Sequence, residues 1–370
     1  MSIRPALKTH RKLRAGFTLV EMLVVIVIIG MLMALLSVAI WGVVTRAREA
    51  AVLVEIDNLV NSVQAYKEKN LVYPPSMAEV TTTARSIHFL RHIRTVYPSS
   101  NYNVTQLDFD RLNDRVRQWY RVRTSAGTQV DLDLSRIDQA EALVFWLGGF
   151  PTPHNVMSAT SATASNMGPG PVAAQKLFGF NNDADNPFKR SNGAIEGQQP
   201  LQTRTKKLFD FDETRLTDVD NDGWWEYAPN EQSGAAVAPF VYFDAEAYGG
   251  ERNSFTGYPR QGDTGAQGLY QQWGLAVPFA AYFDPRGDSP TQWQRGDSFQ
   301  IVSGGLDGVY STPVGANPSQ GMCVPVFPSG FIYMASNYSS PPRSYTNAEL
   351  DNLTSLEKAR LDKARDQAQK

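Results

Sequence analysis

The residues best suited to chemistry in this chain are the carboxylates of a short acidic loop. They are Asp218, Asp220 and Asp222. Gly223 comes directly after them, which completes the D-x-D-x-D-G spacing of a calcium-binding loop. Alternating carboxylates before a turn glycine can wrap oxygen ligands around Ca²⁺, but an EF-hand also needs a glutamate where this chain has Pro229. Glu226 could supply a further carboxylate. The pattern leaves two interpretations open, a calcium site or a plain acidic turn.

Other residue types offer little catalytic chemistry. His88 and His92 are four residues apart and share a face on a helix, but no third metal ligand is near them, which favours an ordinary surface pair. Cys323 is the only cysteine, so it forms no disulfide within the chain, and we interpret it as a small buried side chain. The sequence contains no G-x-S-x-G and no H-E-x-x-H motif. We therefore expect a protein that is not an enzyme.

Charge is unevenly distributed along the 370-residue chain. The net charge is −2, but residues 1–16 carry five basic residues and no acid, so residues 17–370 have a net charge of −7. A domain of that sign repels nucleic acid, and we expect no nucleic-acid partner. The length suffices for one large domain or two smaller ones with a core.

An apolar run begins directly after the basic segment. Between Phe17 and Val44 the only charged side chain is Glu21, and about 20 apolar residues suffice to span a membrane as a helix. Basic residues before the run predict a cytoplasmic N-terminus and export of the chain beyond the run. A secretory signal peptide would end at small residues, whereas residues 45–49 continue as a charged helix. A simple membrane anchor does not need Glu21, because a carboxylate in lipid is costly and requires a partner.

The segment Gly16–Glu21, with the sequence Gly-Phe-Thr-Leu-Val-Glu, resembles the class III signal of type IV prepilins and type II secretion pseudopilins. The resemblance implies that residues 1–16 are a leader, that a prepilin peptidase cuts after Gly16, and that Phe17 becomes N-methylated. It also implies that the Glu21 carboxylate meets the N-terminal amine of a neighbouring subunit. Phe17 and Glu21 would then be the assembly residues, and that amine is the partner that a simple anchor lacks.

The resemblance extends along the helix after this segment. Residues 45–75 are similar to the N-terminal helix of the major pseudopilin, the general secretion pathway protein G type, which ends as here at a Tyr-Pro sequence. Apolar residues recur at helical spacing and form one stripe, Val52, Ile56, Leu59, Val63 and Tyr66. We predict one helix over 17–75 that ends near Asn70, before Pro74. Residues 17–44 would be its transmembrane part, and the second half would pack on a globular domain.

The remaining chain is larger than a major pseudopilin and divides by composition. We predict a mixed, partly helical region over 76–150, with a short buried helix that begins at a capping box, Asp138–Glu141. A linker or mobile loop rich in Ser, Thr, Ala, Gly and Pro covers 151–175. Strand-like runs separated by turns predict a β-rich part over 176–354. Residues 355–370 predict a solvated C-terminal helix.

The same resemblance indicates a second acidic position. Residues 299–310 are similar to the C-terminal S-x-G-x-D-G element of major pseudopilins, which binds calcium in that family, and Asp307 occupies its acidic position. Asp351 is a further matching acid, whereas the close pair of downstream aspartates usual in the family is absent. These scattered elements resemble the enlarged, planctomycete-type pseudopilin-like proteins.

Together these patterns predict an α+β fold in which a long N-terminal transmembrane helix packs on an antiparallel β-sheet globular domain. The resemblance implies a subunit of a type II secretion pseudopilus or type IV pilus-like filament, with calcium as the candidate cofactor. Its partners would be other pilin subunits, the prepilin peptidase and the inner-membrane assembly platform, and its C-terminal domain would be extracytoplasmic. The alternative is a monomeric membrane-anchored binding module that uses exposed aromatic residues, such as Trp224, Trp225, Trp273 and Trp293.

Overall fold

The helices and strands are given by a computed structural model, which describes residues 18–100, 102–124, 128–151, 177–189, 204–230, 238–248, 256–260, 263, 265–283, 290–311, 323–334, 343–356, 360–361, 363 and 366. The helices are α1 Leu19–Asn70, α2 Thr82–Val96, α3 Gln106–Trp119, α4 Gln139–Gly148, α5 Ala245–Tyr248, α6 Ala266–Trp273 and α7 Asn347–Leu350. The strands are β1 Arg121–Arg123, β2 Gln129–Asp131, β3 Phe150–Pro151, β4 Leu177–Phe178, β5 Leu216–Thr217, β6 Glu226–Tyr227, β7 Val241–Asp244, β8 Ala280–Phe283, β9 Pro290–Trp293, β10 Phe299–Ser303, β11 Cys323–Val326, β12 Phe331–Met334, β13 Arg343–Ser344 and β14 Leu353–Thr354.

The chain divides into two compact units, Met1–Arg48 and Glu49–Lys370. Two sheets lie in the second unit. A three-stranded antiparallel sheet has the order β14–β10–β7, and a five-stranded sheet has the order β13–β12–β11–β8–β9. The pairs β1–β2, β3–β4 and β5–β6 form separate antiparallel ribbons. The predicted α+β class is confirmed, although β8 and β11 pair in parallel rather than antiparallel.

The second half of α1 packs into the core through the predicted apolar stripe. Its five side chains, Val52, Ile56, Leu59, Val63 and Tyr66, are at most 3% exposed. Burying a large apolar side chain contributes about 1.5–3 kcal/mol, whereas helix propensities differ by only about 0.7 kcal/mol among ordinary residues, so packing holds this half in place. The helix ends at Asn70 as predicted, and Leu71 leaves it with a φ of 67°.

Helix α4 is buried along its whole length, from Gln139 to Gly148. The backbone N–H groups of Ala140 and Glu141 donate to Asp138 Oδ1 at 2.9 and 3.1 Å, and the N–H of Asp138 donates to Glu141 Oε2 at 2.9 Å. This reciprocal arrangement confirms the predicted capping box and the short buried helix.

The C-terminal tail is helical at its described residues Leu361, Lys363 and Asp366, but it is not wholly solvated as predicted. Leu361 is fully buried, and Lys363 Nζ lies 2.7 Å from Glu49 Oε2. Arg360 pairs with both Glu49 and Asp351. The tail has few apolar residues, so its sequence pattern did not predict this docking. One leucine and two basic residues are enough to hold the tail on a complementary surface. Most of the predicted linker, residues 152–175, lies outside the described residues.

Candidate functional site

Helix α1 begins with a reciprocal cap between Thr18 and Glu21. The N–H and Oγ1 of Thr18 donate to Glu21 Oε2 at 2.8 and 2.7 Å, and the N–H of Glu21 donates to Thr18 Oγ1 at 3.3 Å. This is a T-x-x-E capping box, which satisfies N–H groups that have no partner within the helix. Glu21 therefore has a local role in the single chain that its predicted contact with a neighbouring subunit did not include. Gly16 and Phe17 lie outside the described residues.

The first half of α1 has an apolar surface that the chain itself leaves exposed. The large apolar side chains described between Leu19 and Val44 are 37 to 81% exposed. The most apolar 18-residue window of the helix has a mean hydropathy of 3.1, and none of it is buried. By length and composition α1 can cross a membrane once, in agreement with the predicted single-pass anchor.

The acidic loop connects strands β5 and β6, which pair Thr217 with Glu226. The N–H of Asp222 donates to Asp218 Oδ1 at 3.0 Å and to Asp220 Oδ1 at 3.3 Å. Glu226 accepts from the N–H of Val219. The loop thus folds over its own carboxylates, and Asp218, Asp222 and Glu226 are each only 1% exposed.

The structure brings helix α4 to this loop and adds the carboxylate of Glu141, which the D-x-D-x-D-G motif does not contain. Asp218, Asp220 and Asp222 offer ligand oxygens that lie within 4.8 Å of one another, and so do Glu141, Asp220 and Glu226. The capping box explains Glu141 locally, and nothing in its neighbouring sequence connects it to a loop more than seventy residues further along. Only the packing of α4 reveals that the two acidic segments meet.

The carboxyl groups of this cluster resist ionisation. Burial, followed by the charges of neighbouring carboxylates, raises the pKa of Asp138 to about 7 and that of Asp220 to about 6. The same causes raise the pKa values of Glu141, Asp222 and Glu226 well above the ordinary range. A group of acids that repel one another in this way is stabilised either by protons or by a cation.

A polar cavity of about 390 Å³ adjoins the cluster. Asp220 and Asp222 line it, together with Arg85, Arg136 and Arg260. Arg260 donates to the carbonyl oxygens of Ile137 and Arg136 at 3.0 and 2.7 Å and is paired with Asp263. Asp220 is partly exposed to this cavity, which gives a small ion a route to the cluster.

The second predicted acidic position has a different environment. Asp351 Oδ2 accepts from the N–H of Leu306 at 2.9 Å, and its Oδ1 lies 3.1 Å from Arg360. Asp307 Oδ1 accepts from the N–H of Val309 at 2.9 Å, and burial with the charge of Asp351 raises its pKa to about 6. The two acids are therefore neighbours, as the resemblance implied, but the Asp351 carboxylate is already paired with an arginine.

The two histidines of α2 are buried, so their prediction as a surface pair was wrong. His88 Nδ1 contacts Glu79 Oε1, and its Nε2 lies 3.1 Å from Glu246 Oε2. His92 is 5% exposed, stacks against Tyr66 and has its Nε2 2.8 Å from the Tyr66 hydroxyl. The four-residue spacing does place both histidines on the buried face of α2. Their side chains contact different partners there.

The tryptophans do not form an exposed platform in the part of the chain that the structure describes. Trp224, Trp225 and Trp273 are 1 to 6% exposed and belong to the core clusters. Trp293 is partly buried and packs on Tyr248 with ring centroids 5.4 Å apart.

Cys323 is the first residue of strand β11.

Comparison with known proteins identifies the N-terminal segment. Residues 11–37 match the family model of the prokaryotic N-terminal methylation motif. No curated protein and no solved structure matches the chain. The match includes Gly16, Phe17 and Glu21, and it covers the start of the apolar helix α1. The methylation motif at residues 11–37 therefore indicates a type IV pilin-like prepilin or pseudopilin.

Proposed function

We propose that this chain is a structural prepilin or pseudopilin subunit. A prepilin peptidase cuts it after Gly16, Phe17 becomes N-methylated, and α1 anchors it in the inner membrane with the C-terminal domain outside the cytoplasm. Through α1 it joins other subunits, on an assembly platform, in a type II secretion pseudopilus or type IV pilus-like filament. The observation that carries the proposal is a methylation motif that leads directly into a helix with an exposed apolar surface.

The apolar surface of α1 indicates that this half of the helix lies in an environment other than water. Each large apolar side chain moved out of water contributes about 1.5–3 kcal/mol, and eighteen such exposed side chains occur between Leu19 and Val44. Their sum exceeds the total stability of a typical domain, which is about 5–15 kcal/mol. In the proposed function lipid covers this surface before assembly, and the helices of neighbouring subunits cover it afterwards.

Glu21 supports assembly rather than simple anchoring. Its cap on Thr18 provides hydrogen bonds but no positive charge. A simple anchor would gain only this cap, which needs no negative charge, whereas an ionised carboxylate in lipid is costly. The charged amine of Phe17 on an adjacent subunit would neutralise this carboxylate and would give its position a function.

The alternative of a monomeric binding module has weaker support. It relied on exposed aromatic side chains, and three of the four tryptophans named for it, Trp224, Trp225 and Trp273, are core residues. Proteins with this methylation motif are structural rather than enzymatic, which supports a role without catalysis.

Processing tests the proposal. The full chain is co-expressed with a prepilin peptidase, and its N-terminus is determined by mass spectrometry. We expect N-methylated Phe17, slower cleavage in Gly16→Ala and no cleavage in Gly16→Leu. Gly30→Ala is the matched control, because a side chain at that position in α1 meets no atom within 4 Å, and its cleavage should be normal. An intact Met1, or a mature N-terminus beyond Val44, would exclude the proposed function.

A further inference from the structure

We propose that the carboxylates gathered around Asp220 bind a divalent cation, of which calcium fits best. The ligands are Glu141 from the first turn of α4 and, from the β5–β6 hairpin, Asp218, Asp220, Asp222 and Glu226. This site does not depend on leader processing or filament assembly, because all its residues lie in the second compact unit.

The ligand oxygens are close enough together to surround one calcium ion. Within each of the two sets of three acids, one oxygen per residue lies within 4.8 Å of the others. Oxygens on opposite sides of Ca²⁺ are about 4.6–5.2 Å apart, since each metal–oxygen distance is about 2.3–2.6 Å. Asp220 belongs to both sets, and its carboxylate therefore marks the position of the ion.

Two unused carboxylate oxygens provide evidence of a missing ligand that is independent of the clustering. Glu141 Oε2 accepts the capping hydrogen bond, but Oε1 has no partner in the described part of the chain. Asp222 Oδ1 accepts from the N–H of Trp224, while Oδ2 likewise has none there. Both residues are only 1% exposed. A buried oxygen without a partner costs about 1–3 kcal/mol, and more when it is charged, so each favours a ligand that the protein itself does not supply.

The most buried positive charge near the cluster, that of Arg260, is already paired with other groups. Arg260 is 3% exposed, and its guanidinium is occupied by Asp263 and by backbone carbonyl oxygens. Among the described residues, Glu141 and Glu226 form no ion pair with a lysine or arginine. Buried carboxylates that lack such a partner are strongly destabilising, and a divalent ion at their centre offsets several of them at once.

The chemistry of the ligands selects the ion. All five are carboxylates, without histidine or cysteine, and such oxygen-only sites suit hard cations rather than zinc or copper. Magnesium requires a near-ideal octahedron at about 2.0–2.1 Å and usually keeps several waters, whereas calcium accepts about 6–8 oxygen ligands in flexible geometry, which suits carboxylates from two separate segments. Water from the adjoining cavity at Asp220 can complete the coordination.

The ion would join two segments that are distant in sequence. Glu141 lies on a helix that is buried on every side, and the other four ligands lie on the β5–β6 hairpin and its loop. Calcium would thus clamp the hairpin to the core helix, and the local structure of the extracytoplasmic domain would depend on the calcium concentration around it.

The experiment uses the full chain in detergent micelles after treatment with chelator. Terbium is the first probe, because Trp224 and Trp225 adjoin the ligands and can sensitise its luminescence, and calcium and magnesium are then titrated as competitors. We expect calcium to displace terbium with a dissociation constant between about 10⁻⁶ and 10⁻³ M, and to bind more tightly than magnesium. Glu141→Gln and Asp220→Asn should each weaken calcium binding by about tenfold or more.

Two control variants and one comparison of melting temperatures distinguish calcium binding by these residues from a purely structural role. Asp114→Asn removes an exposed carboxylate on α3 and Asp307→Asn removes the acid of the second loop, and both should bind calcium like the unaltered chain. Glu141→Gln keeps the shape and the capping bond. In chelator it should therefore melt at the same temperature as the unaltered chain or higher, whereas in calcium it should melt lower.

Several results would overturn the proposal. They are no calcium binding at millimolar concentration, calcium binding that survives both Glu141→Gln and Asp220→Asn, and binding that Asp307→Asn alone abolishes. A Glu141→Gln protein that melts lower by the same amount in chelator and in calcium would also overturn it, because that result assigns Glu141 a purely structural role.

Discussion

Glu21 accepts two hydrogen bonds from Thr18 and closes the N-terminal cap of helix α1, with the shorter bond at 2.7 Å from Thr18 Oγ1. This relationship separates two functions of one carboxylate. As an acceptor it completes a capping box, and a glutamine at the same position can do the same. As a negative charge it can pair with the amine of a neighbouring subunit, which a glutamine cannot do.

We predict that Glu21→Gln fails in assembly as completely as Glu21→Ala. Both variants should insert into the membrane and be cleaved normally, because neither change makes α1 less apolar. Both should lose crosslinking to partner subunits in cells that also produce unaltered protein. The measurement is the yield of intersubunit crosslinks and of filaments.

Thr18→Ala is the matched control for that prediction. It removes the hydroxyl of the cap and keeps the charge of Glu21, so it should cost about 1 kcal/mol of local helix stability and should still assemble. Normal assembly of Glu21→Gln would show that the carboxylate acts only as a cap and would favour the membrane-anchored module.

The environment of His88 predicts that the stability of the protein decreases as pH rises into the alkaline range. Burial opposes its charge, but hydrogen bonds to Glu246 and Glu79 outweigh burial and raise its pKa well above the ordinary value of 6.5. A raised histidine pKa contributes stability that is fully present below pH 6.5 and is lost as pH rises through the folded-state value. His88→Gln should therefore destabilise the protein by about 3 kcal/mol near pH 6, and by less at higher pH, in denaturant unfolding of the full chain.

His92 provides the opposite control on the same helix. Burial, with the charge of His88, lowers the pKa of His92 to about 3. Its neutral form is favoured in the folded state, so its contribution is present above pH 6.5 and is lost as pH falls towards 3. His92→Gln should change the acid side of the stability profile and not the alkaline side. Identical pH profiles for the two variants would contradict this assignment.

Leu59 tests the docking of the second half of α1. Leu59→Ala empties a fully buried position and should lower the free energy of unfolding by about 3 kcal/mol. Leu107→Ala on α3 makes the same change at a side chain that is 59% exposed and should cost no more than about 0.5 kcal/mol. Equal losses at the two positions, measured by denaturant unfolding, would be incompatible with the packing of Leu59 in the core.

Gly223 tests the seating of the acidic loop. Its φ is 100°, and a Cβ there would lie 2.5 Å from Val122 Cγ2 and 2.8 Å from Val130 Cγ2. Gly223→Ala should therefore cost about 2–3 kcal/mol through backbone strain and overpacking. Gly268→Ala in α6 meets no atom within 4 Å and should stabilise by about 0.5–1 kcal/mol. Thermal melting of the two variants should move in opposite directions, and a higher melting temperature for Gly223→Ala would refute this seating of the loop.

Features that depend on neighbouring residues along the chain could be predicted from the sequence. The extent of α1, its buried stripe from Val52 to Tyr66 and the capping box of α4 repeat at helical spacing or lie within one turn, and all three are confirmed. The methylation motif is likewise a contiguous string, so its recognition needed no tertiary structure.

Features that depend on contacts between distant segments required the structure. Leu361 is buried and Lys363 binds Glu49 because the tail returns to α1, which no local pattern of the tail contains. Glu141 and Asp220 meet only because α4 packs beside the β5–β6 hairpin. Spacing along the chain determined which residues share a helix face, whereas the packing of those faces decided which charges are buried together and what must neutralise them.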